Sequence, residues 1–249
     1  MKNFKIIIYA WLFGFLFYSG VSGHEPIYGN GPHVLFKGGF APGITMQSFS
    51  GFFETEYSLE YGLTNKLTVG TDLIFNSETN SYGYEGIKLK GKYRFYTKYS
   101  RGSMLQFSAL AGIMFPNNGE LQNAINMGIA AGTESVDFYW FASALYLFNP
   151  NSSGANQLNS LNYDLTLGYR VTELDYYKPD LVLFVEFIGK HKFGSSAQNN
   201  WGNAWSVAPT LMFTFRNYAL RSGVEFGVEN SGAIPFPKTN FKISIETHI

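Results

Sequence analysis

Leu161-Asn162-Tyr163-Asp164-Leu165-Thr166-Leu167-Gly168-Tyr169-Arg170-Val171-Thr172 sets Leu161, Tyr163, Leu165, Leu167, Tyr169 and Val171 on one face and Asn162, Asp164, Thr166, Gly168, Arg170 and Thr172 on the other. Successive side chains of a strand point to opposite faces, so a period of two identifies β-structure. The same alternation returns along most of the chain. A soluble sandwich also alternates, but here the apolar faces are broad and aromatic while the polar faces carry full charges and glycines. The reading is an all-β fold, a transmembrane antiparallel β-barrel.

The N-terminus agrees with an exported protein. Lys2 and Lys5 precede an apolar stretch from Ile6 to Tyr18, then the small residues Ser19-Gly20-Val21-Ser22-Gly23. This three-part layout reads as a signal peptide over residues 1–23 with cleavage after Gly23. Residues 24–249 then form one barrel domain, with a short periplasmic tail from His24 to about Gly31 and no helical anchor. The chain has no cysteine, hence neither a disulfide framework nor a lipid-acceptor thiol. Its 18 basic and 18 acidic residues balance, which argues against a nucleic-acid surface.

Alternation predicts twelve strands, at about 33–41, 52–63, 67–77, 84–98, 104–115, 125–134, 136–148, 161–174, 180–193, 205–216, 218–229 and 240–249. Short connections (Thr64-Asn65-Lys66, Tyr99 to Gly102, around Ser135, Asp175 to Pro179, and Asn217) alternate with longer ones at 42–51, 78–83, 116–124, 149–160, 194–204 and 230–239. An even strand count with this alternation is the asymmetry of an outer-membrane barrel with tight periplasmic turns and long external loops. Counts of ten or fourteen strands remain open. Hydrocarbon leaves no water for unpaired backbone groups, so the sheet must close, the last strand on the first. Phe241, Ile243 and Ile245 would then face lipid opposite Val34, Phe36 and Phe40. Tyr61, Tyr99, Tyr139, Trp140, Tyr176 and Tyr177 at one end, and Tyr82, Tyr84, Trp201 and Trp205 at the other, fit interfacial girdles. Pro209 removes a ladder donor and predicts a local bulge.

Parity places Glu54, Glu56 and Glu60 inward on one strand, Asp72 on the next, and Lys88, Lys90, Lys92 and Arg94 on the one after. Asp164, Arg170, Glu186, Lys190, Lys192, Arg216, Arg221, Glu225, Glu229, Lys242 and Glu246 continue a charged lining. Unpaired charges are too costly for a dry core, so this interior is hydrated, internally paired, or both. Two readings stand: a conduit whose transverse field orients small polar or zwitterionic solutes, and a salt-bridged filling that only props the barrel.

Four histidines do not form a spaced ligand set. His24 and His33 are weak metal candidates and read better as parts of a flexible tail. His191 with Ser195 or Ser196 is a rim-hydrolase candidate without a third orienting group, so the chain is not read as an enzyme. No phosphate loop or dinucleotide fingerprint occurs, and no cofactor is expected. The expected partners are outer-membrane lipid, the barrel assembly machinery and a small-molecule solute.

The stretch His24-Glu25-Pro26 with Gly31-Pro32-His33-Val34-Leu35-Phe36-Lys37-Gly38-Gly39, followed by Tyr61-Gly62-Leu63-Thr64-Asn65-Lys66-Leu67 and Val69-Gly70, resembles the opening of bacterial outer-membrane proteins of the "MetA-pathway of phenol degradation" family. The match covers mainly residues 24–75. It implies a channel-like barrel linked to uptake of hydrophobic or aromatic compounds, and it carries no catalytic residues. One departure is the His248-Ile249 ending, where outer-membrane barrels usually present an aromatic residue to the assembly machinery. The sequence therefore predicts an outer-membrane channel for passive diffusion of small solutes in a Gram-negative bacterium. The alternative is a non-conducting barrel for adhesion, assembly or metal handling.

Overall fold

The computed structural model describes residues 25–49, 51–78, 81–117, 123–149, 159–173, 175, 177–193, 201–232 and 238–249. The expected signal peptide over residues 1–23, His24, Ser195, Ser196, Tyr176 and most of the 149–160 loop lie outside the described residues.

Twelve strands follow one another: β1 Phe40–Phe49, β2 Phe52–Thr64, β3 Leu67–Glu78, β4 Ser81–Ser100, β5 Ser103–Pro116, β6 Ala124–Ser135, β7 Phe138–Phe148, β8 Ser160–Arg170, β9 Asp180–Lys192, β10 Gly202–Phe215, β11 Tyr218–Gly232 and β12 Thr239–Thr247. Each pairs antiparallel with its sequence neighbours, and β12 returns to β1, closing the barrel. Closure leaves no strand edge with unpaired N–H or C=O groups, which is what a hydrocarbon surround demands. The expected period of two is visible in β8. Leu165, Leu167 and Tyr169 are 43–51% exposed on the outside, whereas Thr166 and Arg170 are 0% and 6% exposed on the inside. Tyr61, Tyr82, Tyr84, Tyr99, Tyr177 and Trp205 are exposed, as a girdle requires.

The first strand is displaced from its expected position. Residues 33–39 are not a strand, and β1 begins at Phe40, paired with Tyr61 at one end and Phe52 at the other. Gly38 takes φ 82°, a left-handed conformation that breaks an extended run, and Gly39 donates its N–H back to the Phe36 carbonyl at 2.9 Å. The closing register consequently sets Phe241 against Ser48 and Ile245 against Ile44, not against Val34 or Phe36. Pro42 is tolerated because the ladder to β12 resumes only at Gly43, above a mutual Phe40–Ile249 pair.

The connections differ from strict alternation in three places. Strand takes up most of the 42–51 and 78–83 connections, since β1 runs to Phe49, β2 starts at Phe52, β3 ends at Glu78 and β4 starts at Ser81, and β8 stops at Arg170, which lengthens the 171–179 connection. The bulge expected at Pro209 falls between Trp205 and Ser206. Around Pro209 the ladder to β11 passes from Val207–Phe226 to Thr210–Gly223, while the β9 side continues unbroken, so the missing donor faces β11. The turns at 65–66, 101–102, 136–137 and 216–217 share one end of the cylinder with the C-terminus; this is the turn end below, the opposite one the loop end.

Candidate functional site

The bore is crossed by the chain's own N-terminal segment. It leaves β1 at the turn end, where Gly62 makes room: a Cβ there would sit 1.9 Å from the Phe36 carbonyl oxygen. Leu35 donates its N–H to Thr68 Oγ1 at 2.8 Å, and Ser108 Oγ donates to the Pro32 carbonyl at 2.5 Å. Asn30 reaches Ser143 Oγ at 3.2 Å. Deepest on the β9 side, Ile27, Tyr28 and Gly29 all donate backbone N–H groups to the Glu186 carboxylate, at 3.0, 3.0 and 2.9 Å, and Thr210 adds its hydroxyl at 3.0 Å. Glu186 is fully buried, and four donors meet the burial requirement of a carboxylate that water cannot reach. Across the bore, the Tyr28 hydroxyl lies 3.0 Å from both the Gly223 and Asn240 carbonyls. The free-hanging tail expected from the sequence is instead a strap through the bore.

Glu25 returns toward β4, where Lys92 Nζ lies at 2.8 Å. His33 sits between Glu25, at 3.6 Å, and Glu134 of β6, at 3.1 Å. Burial penalises the His33 cation, but hydrogen bonds and attraction from Glu134 and Glu25 outweigh it and hold its pKa up at about 9. Burial likewise opposes the Glu25 carboxylate, and Lys92 with His33 overcome it and keep its pKa well below the usual carboxylate range. Thus His33, a weak metal candidate by sequence, is an ion-pairing residue that fastens the strap.

Charged side chains stand close together along the β2–β4 and β11–β12 arc. Asp72, fully buried, faces Lys88 at 3.4 Å and Lys90 at 2.7 Å, and Lys90 also reaches Glu60 at 2.8 Å. Glu54 accepts from Gln47 at 2.7 Å. Arg94 donates to Gln106 and to the Asn65 carbonyl. Arg221 pairs with Glu246, which also holds His248. Glu225 accepts from Ser206 and Asn240, Asp164 from Ser143, and Arg170 binds Asp180 at 3.0 Å with its guanidinium over the Tyr139 ring. Glu56 lines the cavity described below.

Arg216 is not in the bore. It occupies the β10–β11 turn at φ 55°, exposed, above the Phe215 ring. The Trp205/Ser206 bulge pairs Glu229 with outward-facing Trp205, which removes it from the inner series. His191 accepts or donates to Asn203 at 2.6 Å and packs on Phe193, while its candidate partners Ser195 and Ser196 lie outside the described residues.

One part of the interior is apolar, which parity arguments on charge alone missed. Tyr139 and Phe141 of β7, Val182 and Phe184 of β9, and Met212 of β10 form a buried cluster on the inner face near the turn end. Tyr139, expected in the girdle, is 2% exposed and points inward. The signal was present in the unbroken apolar runs Phe138-Tyr139-Trp140-Phe141 and Leu181-Val182-Leu183-Phe184-Val185, since a strand covered on both faces loses its alternation. His33 meets the Phe141 ring edge-on at 5.7 Å.

Among the described residues, two cavities flank the strap. One, of about 320 Å³, lies between residues 25–30 and the β2–β4 and β11–β12 walls. The other, of about 560 Å³, opens at the turn end among His33, Phe36, Arg94, Gln106 and His248. Glu25, Glu60, Lys92, Arg221 and Glu246 line both, so opposed charges stand between the two spaces.

No family model matches the chain, and no curated protein matches its sequence. Solved structures do. The COG4313 outer membrane channel from Pseudomonas putida F1 is 14% identical, covers 91% of this chain and 100% of its own, and superposes with a TM-score of 0.60. The NanC porin is 12% identical over 84% of this chain and 98% of its own, at 0.55, and the KdgM porin 11% over 83% and 98%, at 0.53. The fold is that of a twelve-stranded outer-membrane barrel. The resemblance to the phenol-degradation family finds no support beyond this shared architecture.

Proposed function

We propose that this chain is an outer-membrane channel for passive diffusion of small polar solutes, with its N-terminal strap setting the width of the path. The observation that carries this reading is the place where Glu25, Glu60 and Glu246 face Lys92 and Arg221 between two water-accessible spaces. Charges arranged across a low-dielectric wall focus a field on whatever passes, and a filling meant only as support would leave little space beside it. The polar lining suits hydrated solutes better than the aromatic compounds the family resemblance implies. In this reading residues 1–23 direct export and are removed, the barrel assembly machinery inserts the product, and outer-membrane lipid surrounds the exposed aromatic faces.

Planar-bilayer recording of the refolded mature protein tests the proposal. Discrete conductance steps are expected, enlarged when residues 25–35 are deleted. A silent membrane in both forms would sink it. Conductance only in the deleted form would favour the second reading, a barrel closed by its own strap, which the Glu186 clamp supports.

A further inference from the structure

The charges around the cavity of about 320 Å³ fall into two groups. Lys88 and Lys90 are held by Asp72, Lys90 also by Glu60, Lys92 by Glu25, and Arg221 by Glu246. Glu56 of β2 and Lys242 of β12 line the same space, and neither has an ion-pair or hydrogen-bond partner among the described residues. The Lys242 ammonium stands 5.4 Å from the centre of the Tyr28 ring. Their strands flank β1, with Glu56 opposite Thr45 and Lys242 opposite Gln47. Two strand spacings put these backbones about 10 Å apart, so a carboxylate and an ammonium without a bonded partner face one volume from either side of β1, with Glu56 the strongest of the carboxylates whose charge acts on Lys242, ahead of Glu186 and Glu54.

We propose that Glu56 and Lys242 form a binding site for a small zwitterion of the α-amino acid or betaine class, its carboxylate on Lys242 and its ammonium on Glu56. A simple anion would neutralise Lys242 and leave Glu56 unpaired; a simple cation would do the reverse. A zwitterion satisfies both and adds no net charge to the cavity. Ser58 and Ser244 line the space with hydroxyls. The cavity has the size of a small-molecule pocket. The site names a solute class for the channel, and its part in transport rests on the channel reading above.

Saturation-transfer NMR on the refolded protein in detergent tests the site with alanine, alanine amide, acetate and ethylammonium. Alanine is expected to bind about tenfold tighter than any of the other three. Glu56→Gln should reduce alanine to the affinity of acetate, and Lys242→Met to that of ethylammonium, each checked for folding by the heat-dependent gel shift. Equal binding of the four probes to the unsubstituted protein would overturn the proposal whatever the variants do, as would an unchanged alanine affinity in either folded variant. Parallel bilayer recording separates the two claims: binding without conductance keeps the site and removes the channel, and conductance without the preference does the opposite.

Discussion

The two sides of the bore solve opposite problems. On the β7–β10 side, Phe141, Val182, Phe184 and Met212 turn apolar surface inward, and the strap lies against that side with its own Ile27 buried and three peptide N–H groups fixed to Glu186. On the β2–β4 and β11–β12 side the inner wall is charged, the charges are mostly matched in pairs, and space remains. An apolar inner wall favours cover because water against it is unfavourable, whereas a matched ionic wall stays wet at little cost. The position of the path therefore follows from where the barrel puts its two kinds of inward residue.

The largest way to break this contrast is Phe141→Ala, which removes the centre of the apolar cluster and should lower stability by about 3–5 kcal/mol in urea unfolding from vesicles. A loss near zero would mean that the cluster holds nothing. On the ionic side, Asp72→Asn leaves Lys88 and Lys90 without their shared buried anion. It should cost about 3 kcal/mol and move the reversal potential in a salt gradient toward anions. Glu186→Gln keeps shape but gives up charge-assisted bonds to the strap, worth about 2 kcal/mol to its docking. A cysteine placed at Asn30 should then react faster with an impermeant maleimide than in the parent barrel.

The His33 pairing adds a pH dependence. Its folded pKa of about 9 lies above the ordinary value near 6.5, so the stabilisation is complete below about 6.5 and fades as pH rises through about 9. Conductance should grow between those limits, and His33→Ala should flatten the profile. The smallest effect is expected at Arg216→Gly, which relieves a left-handed φ for a gain of at most about 1 kcal/mol and leaves conductance unchanged. A changed conductance would return Arg216 to the bore.

Strand number, closure and most of the charged lining were legible because the side-chain period reports face directly, and residues such as Asp72 and Glu186 sit where parity puts them. The first strand was misplaced because Val34, Phe36 and Phe40 alternate as a strand would, while the turn at Gly38-Gly39 that ends the run depends on backbone conformation. The strap itself could not be read locally: Glu186 lies 159 residues from Ile27, and main-chain donors carry no residue signature. Arg216 was misassigned because the period of two was carried one residue past the strand.

Since Glu186 grips peptide groups, its hold is indifferent to which side chains occupy positions 27 and 28. Gly29 is constrained by space, because a Cβ there would lie 2.2 Å from Asp164 Oδ1, and Ile27 and Tyr28 are tuned by burial and by the Tyr28 hydroxyl rather than by the clamp. The barrel thus offers an exchangeable insert: residues at the crossing can be rewritten to retune the aperture while the anchoring stays the same.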